Sequence, residues 1–254
     1  MKLAGVVCTY GRAALAELLA CIARQTIEIP TLVYVDNAPG LRVDVEQFAG
    51  MLHVVHGPKL PTIGAVRSAA VQAARERWPL DGFLLLDDDD FYASVHYEVT
   101  SAALRASAGW VAGLSIGITR DGGPPEYVSN EGREGQHATW GVSFEAYDRA
   151  GGYPDNAFED VGLGCALRHS KHGRTQCTPH WVTTHVRREH FANLSGRAAH
   201  FDTSTVRTID QLALGTVRPR WSAECEFLEQ WCAARRAGEP LSTPPPPRRA
   251  QLVP

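Results

Sequence analysis

At 254 residues, with 44% hydrophobic and 21% charged residues, the chain has an ordinary globular composition and the length for one sizeable α/β core. Its apolar runs, such as 83–86, are far too short to cross a bilayer, and six cysteines without a C-x-x-C pair exclude a disulfide scaffold or zinc ribbon. The net charge of −3 conceals an asymmetry: residues 1–164 carry 12 Lys/Arg against 21 Asp/Glu, and residues 165–254 carry 13 against 7 with six of the ten histidines.

Leu3 to Cys8 is a short apolar run with β-branched members and predicts a buried first strand. It lacks the length and cleavage pattern of a signal peptide, so the expected location is cytoplasmic. After the turn Thr9-Tyr10-Gly11, the Ala- and Leu-rich stretch Ala13 to Gln25 predicts a helix. Thr31 to Val35 predicts a second strand running into the turn signal Asp36-Asn37-Ala38-Pro39-Gly40. Leu52 to Val55 predicts a third strand, and a helix follows from about Ile63 to Arg77 with Thr62 as its N-cap. Phe83 to Leu86 predicts a fourth strand. This alternation argues for a mostly parallel central sheet flanked by helices.

Farther along, Trp110 to Thr119 predicts a strand, and 120–136 reads as a long Gly/Pro/charged loop, a candidate lid. His137 to Phe144 predicts another strand, followed by a short helix ended by Gly151-Gly152. Val161 to His172 has helical spacing and stops at Gly173. Ser222 to Arg236 predicts an amphipathic helix inside an extension spanning 201–238, and 239–254, with four consecutive prolines, predicts a disordered tail.

The sharpest chemical feature is Asp87-Asp88-Asp89-Asp90, directly after the fourth strand. Ligands of parallel α/β sheets sit outside the carboxyl ends of the strands. Four adjacent carboxylates there repel one another unless a cation is near, and hard ions such as Mn²⁺ or Mg²⁺ favour one or two carboxylates plus phosphate oxygens. Alternation along extended backbone puts Asp87 and Asp89 on one side and Asp88 and Asp90 on the other. The plainer alternative is a solvated acidic turn. A second pair, Glu159-Asp160, precedes a helical stretch, where a carboxylate either caps the helix or serves as a general base.

In their order, VVCTYGR, VYVDNA, PTIGAVRSAA, FLLLDDDD and RAGGYPDNAFEDVGLGCALRHSKHG resemble the motifs of the family-2 type of glycosyltransferase, whose fold is GT-A. The resemblance covers about residues 3–190 and implies a GT-A domain over 1–200, with a nucleotide-binding half, 1–92, and an acceptor half, 93–200. It implies that Asp36 binds the ribose or base of the donor and that Thr9, Tyr10 and Arg12 line the nucleotide pocket. Gly64 and Arg67 would approach the diphosphate, and Asp87 and Asp88 would lie at the donor. Asp87 and Asp89 would form the metal-binding pair, with the register open by one residue, and His185 would complete the site, with His190 second. Asp160 would be the base and Glu159 its neighbour. Val66 and Ser68 depart from the family pattern, which has Ala and Asn there.

The implied activity is metal-dependent, inverting transfer of a hexose from a nucleotide diphosphate sugar, a UDP-sugar first, to a hydroxyl acceptor. The basic second half adds DNA carrying hydroxymethylated pyrimidines as an alternative acceptor, through Arg174, Arg187, Arg188, Arg197, Arg207, Arg218 and Arg220. Rival classes are a glycoside hydrolase, which also uses two carboxylates, and a non-catalytic sugar-nucleotide-binding module. A dinucleotide-dependent oxidoreductase is disfavoured, because Thr9-Tyr10-Gly11-Arg12 is not Gly-x-Gly-x-x-Gly.

Overall fold

The computed structural model describes residues 1–11, 15–36, 41, 43, 48, 50–107, 109–113, 137–156 and 159–170 with their side chains, and 115–120, 126–129, 175–177, 185–189 and 206–207 as backbone strands. Four short apolar runs near the N-terminus form parallel neighbours: β1 (Leu3–Thr9), β2 (Thr31–Asp36), β3 (Leu52–Gly57) and β4 (Gly82–Asp87). β1 lies between β2 and β4, and β3 pairs with β2. A parallel strand covered on both faces must be apolar at successive positions. Accordingly Val7, Val33, Leu84 and Leu86 enter one core while Val6, Leu32, Phe83 and Leu85 enter the other.

Helix α1 (Leu15–Ala23) and α3 (His96–Ala106) cover the first face through Leu15, Leu18, Leu19, Tyr97 and Leu104. On the second face lie α2 (Ile63–Arg77), α4 (Phe144–Arg149) and α5 (Glu159–His169), which contribute Val66, Ala70, Val71, Phe144, Leu163 and Leu167. The sheet has seven strands in the order β10-β6-β9-β4-β1-β2-β3, where β6 is Trp110–Ala112, β9 is Gly141–Ser143 and β10 is Thr175–Cys177. β9 runs antiparallel to both β4 and β6, so the sheet is mixed within a mostly parallel frame. A second sheet has the order β12-β8-β7-β11-β5 and comprises β5 (Phe91–Tyr92), β7 (Ser115–Arg120), β8 (Glu126–Ser129), β11 (His185–Glu189) and β12 (Val206–Arg207). Among the described residues no helix is long and apolar enough to cross a membrane.

Several elements differ from the sequence reading. The run Trp110 to Thr119 is two strands in two sheets, because the chain turns away at Gly113, whose N–H donates to Thr139 Oγ1 at 2.8 Å. The expected strand His137 to Phe144 is a 3₁₀ turn at His137–Thr139, then β9, and Ser143 caps α4 by accepting from the Ala146 N–H at 3.2 Å. The segment 120–136 is not wholly loop: Glu126–Ser129 pairs antiparallel with β7. α5 begins at Glu159, two residues earlier than its apolar spacing suggested, because both acids occupy the first turn, where the helix dipole favours them. The helix expected over 222–236 and the tail 239–254 lie outside the described residues.

Two expected features of the second core face are present. Thr62 caps α2, its Oγ1 accepting from the Ala65 N–H at 3.1 Å, and the same hydroxyl donates to Asp155. Gly151 and Gly152, at φ of 82° and 75°, end α4 in the left-handed region that glycine enters without steric cost. They lead into the 154–156 segment, which lies directly on the start of α2: a Cβ on Gly64 would meet Pro154 O at 2.0 Å, and the Gly64 N–H donates to Asn156 O at 3.3 Å.

The close approach at Gly64 yields a test of sign. In an open helix Gly→Ala stabilises by up to about 1 kcal/mol, whereas forcing a methyl into packed backbone costs about 1–3 kcal/mol. Gly64→Ala should therefore lower stability in urea unfolding. A stabilised variant would mean that the 154–156 segment does not pack on α2.

Candidate active site

The parallel register brings the chemistry to one edge. Cys8 pairs with Asp87, Thr9 with Val35 and Asp36 with Gly57, so the carboxyl ends of β1, β2 and β4 lie side by side. Thr9 is fully buried there, donating from Oγ1 to Asp88 Oδ2 at 2.6 Å and accepting from the Gly11 N–H at 3.0 Å. Tyr10, next to it, is 40% exposed. Asp36 is buried and accepts from the Leu60 N–H at 3.1 Å. Burial alternates along the aspartate run, with Asp88 and Asp90 buried and Asp87 and Asp89 half-buried, but not on the extended backbone expected: β4 ends at Asp87, and residues 88–90 turn, the Asp90 N–H donating to Asp87 O at 3.4 Å. Tyr92 braces the run, its hydroxyl accepting from the Asp87 N–H at 2.8 Å and donating to Ala138 O at 3.2 Å.

Arg67 lies at the centre. It projects from the face of α2 that also carries Val66, Ala70 and Val71, and its side chain is 14% exposed. Nη2 donates to Asp87 Oδ1 at 3.1 Å, and Nε lies 3.0 Å from Glu159 Oε1. The second contact is an ion pair by distance, but the N–H is not aimed as a hydrogen bond. Nη1 meets His137 Nδ1 at 2.8 Å. A guanidinium has only N–H groups to offer, so Nδ1 must accept. The proton of the neutral ring is then on Nε2, which donates to the Tyr153 hydroxyl at 2.8 Å.

The electrostatics agree with this wiring. Burial works against the Arg67 charge, but Asp87, Tyr153, Cys8 and Glu159 together outweigh it and hold the guanidinium above its ordinary value. Burial and then the Arg67 charge push His137 well below 6.5, so the ring stays neutral. Burial raises the Glu159 carboxyl, and Arg67 opposes that rise. The Cys8 thiol, beside the same carboxylates, is pushed up to about 12, chiefly by burial, which favours its protonated form.

No family model matches the sequence, and no curated protein matches it. Solved structures do match in architecture. S. aureus TarS 1-349 in complex with UDP-GlcNAc aligns with a TM-score of 0.55 at 14% identity, over 96% of this chain and 68% of that one. The mannosyltransferase PcManGT from Pyrobaculum calidifontis, in complex with GDP-Man and Mn2+, aligns with a TM-score of 0.53 at 16% identity, over 95% of this chain and 77% of that one. Against a further TarS structure the match spans only 37% of that chain. The fold is GT-A.

In GT-A terms, Thr9, Tyr10, Asp36, Asp87 and Asp88 share the carboxyl edge, and Glu159 reaches it through Arg67. Asp160 follows Glu159 in the first turn of α5 and is half-buried, its Oδ1 accepting from the Val161 N–H at 2.7 Å. Gly64 faces the 154–156 segment with both its Cα and its N–H, and Arg67 faces carboxylates. Arg12 and His190 lie outside the described residues, as do Arg174, Arg197, Arg218 and Arg220 of the basic segment. His137 and Tyr153, which the motifs did not single out, are the additions.

The aspartate run suits a hard cation in donor type: Asp87 and Asp89 carry half-buried carboxylate oxygens, leaving remaining positions to phosphate and water. Asp90, Asp87 and Asp89 reinforce the effect of burial in raising the Tyr92 phenol, a sign of concentrated negative charge. Among the described residues no three metal-ligating side chains converge. His185 is described as backbone only, and β11 pairs its Cα with that of Tyr92, two residues beyond Asp90.

Replacing Arg67 tests the charge arrangement. Arg67→Met leaves buried carboxylates without their cation and should cost about 3–5 kcal/mol near neutral pH. The Glu159 pKa is already raised above 4.5 in the folded state and would rise further without Arg67. A raised carboxyl contributes stability below its unfolded pKa and loses it as pH climbs through the folded one. The penalty, measured by urea unfolding, should therefore be larger at about pH 7.5 than at about pH 5. An equal penalty at both would contradict the ion-pair assignment.

Proposed function

We propose that the chain is a metal-dependent, inverting glycosyltransferase that moves a hexose from a nucleotide diphosphate sugar, a UDP-sugar first, onto a hydroxyl acceptor. The observation that carries this reading is the division of labour at the carboxyl edge. Arg67 engages Asp87 and Glu159, while Asp89 and Asp160 remain half-buried at the aspartate run and at the start of α5. The UDP-GlcNAc and the GDP-Man with Mn2+ in the GT-A neighbours support a nucleotide diphosphate donor and a divalent cation.

In this reading 1–92 is the donor half and 93–200 the acceptor half. Asp36, Thr9 and Tyr10 bind the nucleoside, with the Tyr10 ring exposed for a flat contact. Asp87 and Asp89 hold Mn²⁺ or Mg²⁺, with His185 as the third candidate ligand; when bound, the cation supplies positive charge to the departing diphosphate. Asp160 takes the proton from the acceptor hydroxyl as that oxygen bonds to the anomeric carbon. The bond from the same carbon to the diphosphate oxygen breaks, and the nucleoside diphosphate leaves with the electron pair. A single displacement inverts the anomeric configuration.

Asp160→Asn preserves size but cannot accept the proton, so transfer should fall by about 10²–10⁴-fold while donor binding persists. Product mass spectrometry over a panel of nucleotide sugars and acceptors, with calorimetry for the donor, reads both quantities; a wild-type transfer rate would remove Asp160 as base. Excess EDTA should abolish transfer, and Asp89→Ala should nearly do so. Full activity in EDTA would sink the metal-dependent reading.

A further inference from the structure

The Arg67 guanidinium touches groups from three separate elements. Asp87 closes β4, Glu159 opens α5, and His137 belongs to the 3₁₀ turn before β9. Tyr153, from the connection between α4 and α5, stands behind His137. An arginine loses rotamer freedom when fixed, and two carboxylates alone do not define where it stops: it could turn to face either one squarely. The imidazole removes that freedom, because a single lone pair at Nδ1 gives Nη1 one direction.

The ring is itself held. Its centroid lies 4.8 Å from Trp140 and 5.6 Å from Tyr153, both edge-to-face, and the His137 and Tyr153 side chains are buried. Because the ring is neutral, it directs Arg67 without adding charge. One guanidinium then faces Asp87 and Glu159 together.

We propose that His137 and Tyr153 are positioning residues: a buried hydrogen-bond chain that sets Arg67 where it joins Asp87, on the donor side, to Glu159, on the acceptor side. The inference rests on the transferase reading above. Through Glu159 the chain orients the first turn of α5, and with it Asp160. Neither His137 nor Tyr153 touches substrate.

Two measurements test this. In protein labelled with ¹⁵N-histidine, the resonances lost in His137→Gln identify the ring, which should be neutral with its proton on Nε2 around neutral pH. A proton on Nδ1, or a cationic ring, would overturn the hydrogen-bond chain whatever the protein's activity. In sugar transfer, His137→Leu should lower kcat by about 10–100-fold, the scale of a small misplacement of reacting groups, with the donor Kd little changed. His137→Gln, whose amide can accept from Arg67 and donate to Tyr153, should recover most of that loss. Equal kcat for the leucine and glutamine variants, or a wild-type kcat for leucine, would overturn the positioning role. If His137→Leu fails to fold, Tyr153→Phe serves as the broken chain and should lower kcat at unchanged donor Kd. A wild-type protein that transfers no sugar from any donor would instead overturn the proposed function, and the positioning role with it.

Discussion

Four successive aspartates end a strand in the middle of the sheet, and Glu159 approaches the same edge from a helix. In a partly desolvated site such a set of anions is stable only with positive charge among them, and the described part of the edge supplies it through Arg67. The arrangement is mutually dependent. A buried guanidinium without carboxylates would be as costly as the carboxylates without it. Asp87 and Glu159 are therefore held at fixed places by charge, and the backbone elements that carry them are held with them.

The remainder of the fold can be seen as what delivers these groups to one point. Parallel pairing of β1, β2 and β4 stacks their carboxyl ends, so that Thr9, Asp36 and Asp87 arrive together without any contact between their side chains being needed. α2 brings Arg67 because its apolar face lies against the sheet and Arg67 occupies that face near its N-terminal end. α5 is placed by the 154–156 segment, which presses on the side-chain-free surface of Gly64 and is tied to the N-cap Thr62 through Asp155. The beginnings of α2 and α5 are thereby fastened to each other, with Arg67 one turn into α2 and Glu159 at the first position of α5.

The charge state of the edge bears on what it can bind. Among the described residues, the Arg67 guanidinium faces Asp87 and Glu159, while the adjacent histidine is kept neutral by burial and by Arg67 itself. Burial and the same anions raise the Cys8 thiol. Among the described residues the edge thus combines clustered carboxylates with a thiol held in its protonated form. That combination fits a divalent cation carrying a diphosphate and suits chemistry in which a carboxylate accepts a proton but does not itself attack carbon.

Much of this was legible in the chain. Uninterrupted apolar runs at 3–8, 31–35 and 83–86 mean buried parallel strands, because only strands covered on both faces dispense with alternation. Charges packed directly after such a run mark a ligand edge, and Thr62 and Gly151-Gly152 announce a helix start and a helix end through local chemistry. These signals are local, so sequence carries them. Arg67 was visible as a residue near the site, but its partners were not: Asp87 lies 20 positions away and His137 lies 70, and no periodicity links them. The 3₁₀ turn at His137–Thr139 read as strand because its residues suit either conformation, and a contact with Gly113, distant in sequence, settles which. The resemblance put Gly64 near the diphosphate; that the chain's own segment 154–156 packs on it is visible only in the fold. Sequence alone determined the four parallel strands, the start of α2, the end of α4 and the acidic edge, since these follow from neighbouring residues. Which carboxylate Arg67 engages, and which histidine directs it, was decided by tertiary packing, since charge pairing depends on distance in space and the chain encodes only distance along itself.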